Sequence, residues 1–88
     1  MTKTEFEKLA LKLSEKKTLD ELRREQDVIS AESRSLYNWN TKKYTGTPGQ
    51  FWKLSLMYDL RTAAIDRQCF PEETPIDYYQ PGYSNVVF

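Results

Sequence analysis

TPGQFWKLSLMYDLRTAAIDRQ, residues Thr47 to Gln68, is the stretch on which the fold turns. Thr47 is a good N-cap, Pro48 sits at the first helical position where its missing N–H is harmless, and Gln50 supplies the third-position side chain. Beyond them Phe51, Leu54, Tyr58, Arg61 and Ile65 share one helical face, and Trp52, Ser55, Leu56, Leu60 and Ala63 broaden it. A helix with so much apolar circumference needs cover on more than one side. The spacing predicts a central helix over 48–68, with Ala63 and Ala64 allowing a neighbour to approach closely. Phe70-Pro71 ends it, because the residue before a proline is pushed out of the helical region.

Working back from this helix, residues 38–49 are rich in Asn, Thr and Gly and read as a connection. Before it, Thr18-Leu19-Asp20-Glu21 forms a capping box that opens a second helix over 19–38. Leu22, Ile29 and Leu36 recur every seven residues, accompanied by Leu19, Gln26 and Ser33. That seam is half polar, so it predicts a narrow contact stripe, widened by Val28 and Ala31. Arg23 and Asp27 have the spacing of an intrahelical pair. Ser30, Ser33 and Ser35 are weak helix formers and make Ser30 the point where this helix would break. A first helix over 4–16 carries Phe6, Leu9, Ala10 and Leu13, with Thr4 and Glu7 spaced as a capping box and a tight bend at 16–18.

Downstream lies FPEETPIDYYQPGYSNVVF, residues Phe70 to Phe88. It holds five of the twelve aromatic residues, three acids and no Lys or Arg, leaving +3 on residues 1–69. Disordered tails are rich in charge and poor in aromatics, the reverse of this pattern. The tail is expected to pack, on its own helices or on a partner, with turns at Pro75 and at Pro81-Gly82, the latter of type II. Val86, Val87 and Phe88 make an apolar end. The expected architecture is all-α: one domain, 1–88, of three helices with tail 70–88 folded across them. Its expected core is Phe6, Leu9, Leu13, Leu22, Ile29, Leu36, Trp39, Phe51, Leu54, Tyr58 and Ile65.

Chemistry is harder to place. Formal charge is zero, against the strong electrostatic attraction on which most DNA binders rely. Histidine is absent and Cys69 is the only cysteine, so neither a structural zinc site nor an internal disulfide is expected, and no cofactor is implied. Asp59 and Asp66 nearly share a helix face, but the usual acid–base residue is missing. Cys69 has no histidine to activate it and reads as a buried structural thiol. An enzyme is not expected. No apolar run reaches the length of a membrane span, and the composition fits a reducing cytoplasm.

The stretch Tyr37-Asn38-Trp39-Asn40-Thr41-Lys42-Lys43-Tyr44 interleaves aromatics with lysines. In one reading Tyr37 and Trp39 pin the connection to the core and the lysines are merely solvated. In the other it is a binding surface for a protein or for single-stranded nucleic acid, whose bases stack on aromatics. The leading expectation is a small adaptor or regulatory protein, of a bacterium or phage, acting through Trp39, Lys42, Lys43, Tyr44, Tyr78, Tyr79 and Tyr83. Single-stranded nucleic-acid binding through Trp39–Tyr44 and a purely structural subunit are the alternatives. The half-polar stripe also suggests a homodimer.

Overall fold

The computed structural model describes residues 1–72 and 77–86. Its elements are α1 (Lys3–Lys16), α2 (Leu19–Ser35), a two-residue strand pair β1 (Tyr37–Asn38) and β2 (Lys43–Tyr44), α3 (Pro48–Cys69) and a 3₁₀ turn (Pro81–Asn85). α1 and α2 each pack chiefly on α3, one on either side, giving a body of 44 × 27 × 20 Å. The all-α class with a packed tail is what the sequence implies.

Local chemistry sets most of the boundaries. At Thr47 the hydroxyl accepts from Gln50 N–H at 3.1 Å while Gln50 accepts from Thr47 N–H at 2.9 Å. Thr18 and Glu21 make the same reciprocal pair. Such caps are worth about 1 kcal/mol each. α1 starts earlier than its spacing implies, because Thr2, not Thr4, accepts from Glu5 N–H. α2 passes through Ser30 unbroken but stops at Ser35 rather than 38. The Leu36 carbonyl takes the Thr45 N–H, so the chain leaves the helix and pairs Tyr37 with Tyr44 across an antiparallel hairpin. Arg23 and Asp27 form no ion pair.

The principal core lies between α1, α3 and the tail: Phe6, Ala10, Leu56, Leu60, Ala63 and Tyr83. Leu22, Ile29, Leu54 and Ala64 are also buried. Leu56, Leu60 and Ala63, which merely broaden the α3 stripe in sequence, are therefore buried, as is Leu54 of the stripe itself. Phe51 and Tyr58, expected inside, are 44% and 41% exposed. Leu9 and Trp39 are exposed as well, as are Val28 and Ala31; Leu13, Leu36 and Ile65 are half-buried. The reason is the partner each face receives. α2 meets α3 along a polar-edged seam, where Gln26 donates to the Thr62 hydroxyl at 2.7 Å and to the Tyr58 carbonyl at 3.3 Å. That seam leaves Tyr58 at its rim. Cys69, expected buried, ends α3 exposed, because none of the described residues beyond Phe70 covers it.

The tail supplies the missing cover. Tyr83 is completely buried, its ring stacked near Phe6 (6.3 Å between centroids) and edge-on to Trp52 and Tyr79 (5.8 Å each). Its hydroxyl donates to Asp59, that of Tyr78 to Asp66 at 2.7 Å, and that of Tyr79 to the Met1 carbonyl at 2.7 Å. The Met1 nitrogen donates in turn to the Tyr83 and Val86 carbonyls. Asp59 and Asp66, seven apart on α3, thus hold two tail tyrosines. Pro81-Gly82 opens a 3₁₀ turn rather than the expected type II turn, and no glycine has positive φ. Gly82 is needed for closeness: a Cβ there would stand 2.7 Å from Trp52 Cη2. Gly82→Ala is expected to cost about 1–3 kcal/mol in denaturant unfolding. The turn expected at Pro75 and the apolar end at Val87 and Phe88 lie outside the described residues.

One ion cluster ties the helices together. Glu25 accepts from Arg61 Nε at 3.0 Å and pairs with Lys17 at the α1–α2 bend. Burial pushes the Glu25 carboxyl up, but Lys17 and Arg61 outweigh it and hold it below its ordinary value. Its contribution is therefore present above the ordinary glutamate range and is lost as pH falls through the lowered value. Glu25→Gln should cost about 1 kcal/mol at neutral pH. It should also flatten the acid limb of a stability–pH curve.

Candidate functional site

The hairpin is built by local bonding. After Asn38 its side-chain carbonyl accepts from the N–H groups of Asn40 (2.9 Å) and Thr41 (3.3 Å), bending the chain over. Lys42 then takes a left-handed conformation, φ 55°, which returns the chain to pair Lys43 with Asn38. Side chains two apart on a strand share a face, so Tyr37 and Trp39 meet edge-on, 4.6 Å between centroids. Trp39 is 71% exposed, the highest value among the large apolar residues described. It flanks an open cavity of about 420 Å³ with Ser35, Tyr37, Asn38, Asn40 and Thr45.

Tyr44 points the other way. Its ring lies against Gly46 and edge-on to Phe51 at 5.7 Å, and its hydroxyl is buried without a hydrogen-bond partner among the described residues. Edge-to-face contacts continue from Phe51 to Trp52 and from Trp52 to Tyr83. A run of rings thus braces the hairpin from beneath and connects it to the buried tail.

Of the seven residues singled out in the sequence, Trp39, Lys42 and Lys43 come together at the exposed hairpin. Tyr44 packs below them. Tyr78, Tyr79 and Tyr83 are committed to the helices and to Met1, with Tyr83 fully enclosed. Burial, and next the Asp59 carboxylate, raise the Tyr83 phenol well above its ordinary value; the bond to Asp66 leads the upward shift of Tyr78. These are protonated, donating hydroxyls with a structural task. A second surface was not apparent from sequence. It is the groove between α2 and α3, where Val28 stands 67% exposed above Met57. The signal for it was weak: Val28 lies one residue off the Leu22–Ile29–Leu36 seam.

Among the described residues no three Cys, Asp or Glu side chains converge in a way that could hold a metal ion, and no helix is long and apolar enough to cross a membrane. No protein-family model matches the chain, and searches of curated proteins and of solved structures find no match either, so the functional reading rests on the chain's own surface.

Proposed function

We propose that this chain is a small non-enzymatic adaptor or regulatory protein that docks on another protein through the Tyr37–Tyr44 hairpin, with Trp39 as the anchor. The observation that carries the reading is an exposed tryptophan on a braced, tightly bonded turn. Tryptophan is among the residues that dominate binding energy at interfaces, and an anchor already held in place loses less conformational freedom on docking. Lys42 and Lys43 beside it favour an acidic partner surface. The free, exposed Cys69 fits a reducing compartment such as the cytoplasm.

The lysines and the stackable ring also keep single-stranded nucleic acid in view as a second ligand class. A purely structural subunit would use the same face permanently.

Trp39→Ala is expected to change unfolding free energy by no more than about 0.5 kcal/mol, because the ring is mostly in solvent. Proteins captured by the immobilised wild-type chain should be missing from Trp39→Ala and reduced with Lys42→Glu/Lys43→Glu. Capture unaffected by Trp39→Ala would contradict the reading. Binding of a labelled oligonucleotide that falls steeply with salt would transfer the site to nucleic acid.

A further inference from the structure

One ridge of α2 is exposed along its length. Arg24, Val28 and Glu32 follow one another at four-residue spacing along the rim of the α2–α3 groove. Val28 is the most exposed large aliphatic residue described; it lines a cavity of about 260 Å³ with Arg24 and Met57, and Met57 also borders a second of about 340 Å³ lined by Glu32. The side chains of Arg24 and Glu32 have no ion-pair partner among the described residues, in contrast to Glu25 and Arg61 one step away. Eight residues of helix separate the two by roughly 12 Å, too far for them to neutralise one another within the chain.

Opposite charges placed four residues either side of an exposed apolar residue are self-complementary under a two-fold axis. A second α2 lying antiparallel sets Val28 against its own copy, Arg24 against the partner's Glu32 and Glu32 against the partner's Arg24. A parallel arrangement sets like charge against like. We propose that this ridge and groove bind a second copy of this chain, forming a two-fold dimer through antiparallel α2 helices with Val28 seated over Met57. Ridges of four-residue spacing interdigitate with the helices crossed, and long Arg and Glu side chains span the divergence. The interface is isologous and closes at two chains. One helix ridge is a small interface, so the dimer is a weak one, with a dissociation constant on the order of tens of micromolar. The Trp39 hairpin takes no part in it, so either reading can fail without the other.

The charge order supplies the test. Sedimentation of the full chain should show a reversible dimer forming below about 500 µM. Arg24→Glu or Glu32→Arg alone should weaken it by about tenfold or more, since each change turns two attractive pairs into repulsive ones. Mixing the two single variants should restore association, because one then carries two acids and the other two bases. The double variant Arg24→Glu/Glu32→Arg should restore it as well. All three positions face solvent or the groove rim, and circular dichroism will report whether each variant keeps its helices. A wild-type chain monomeric throughout that range would overturn the proposal. So would single variants that associate as well as wild type, or a mixture that stays monomeric.

Discussion

Tyr83→Ala is expected to remove about 4 kcal/mol of stability and lower the melting temperature by about 20 °C. The ring is enclosed by Phe6, Trp52 and Tyr79, so truncation opens a cavity in the principal core of a small domain. It also takes from Asp59 its nearest donor, leaving the Gln80 amide at 3.3 Å. Tyr83→Phe separates the two effects. It keeps the ring and loses only the hydroxyl, and should cost about 1–3 kcal/mol.

The same residue sets the alkaline limit. Its phenol is raised in the folded chain, by burial first and by Asp59 second. The stabilisation is therefore full below the ordinary tyrosine value near 10 and is lost as pH rises toward the raised one. Tyr78 acts in the same direction through Asp66. Wild type should destabilise above about pH 10, and Tyr83→Phe should show a shallower alkaline slope, with the Tyr78 part remaining.

Removing residues 76–88 is expected to have the largest effect of all, on the order of 5 kcal/mol and a melting temperature lower by 20 °C or more. The deletion uncovers Phe6, Leu56, Leu60 and Ala63 together and removes the hydroxyls that occupy Asp59 and Asp66. Total stabilities of small domains are about 5–15 kcal/mol, so the truncated chain should be marginal at best. Retention of the wild-type melting temperature would mean that the helices close their core without the tail.

What sequence made legible follows from how local each signal was. The Thr18–Glu21 and Thr47–Gln50 boxes act within one turn, and Phe70-Pro71 acts within two residues, so those boundaries stand almost where spacing puts them. The tail's packing was also readable, because six-membered rings without compensating charge have little reason to stay wet. Facing was less legible. α3 carries apolar residues around much of its circumference, and spacing alone cannot decide that α1 and the tail cover Leu56 and Leu60 more fully than α2 covers Tyr58. The hairpin was hidden for a related reason: its strands are two residues long, too short for alternation to show. Trp39 could then be assigned to the core or to the surface with equal ease. Only the Asn38 turn and the left-handed Lys42 turn it outward. Cys69 went the same way, a residue type usually buried that here ends a helix in an exposed position.

Tyr78, Tyr79 and Tyr83 of the tail pack into the core, whereas Trp39 is the most exposed of the large apolar residues described. The two tryptophans test both halves at once. Fluorescence quenching by acrylamide should be read on Trp52→Phe, which reports Trp39, and on Trp39→Phe, which reports Trp52. Trp39 is expected to be quenched nearly as freely as a small indole in water, whereas Trp52 is expected to be protected in the full chain and to lose that protection when residues 76–88 are removed. A shielded Trp39, or a Trp52 whose accessibility is the same with and without the tail, would contradict this arrangement.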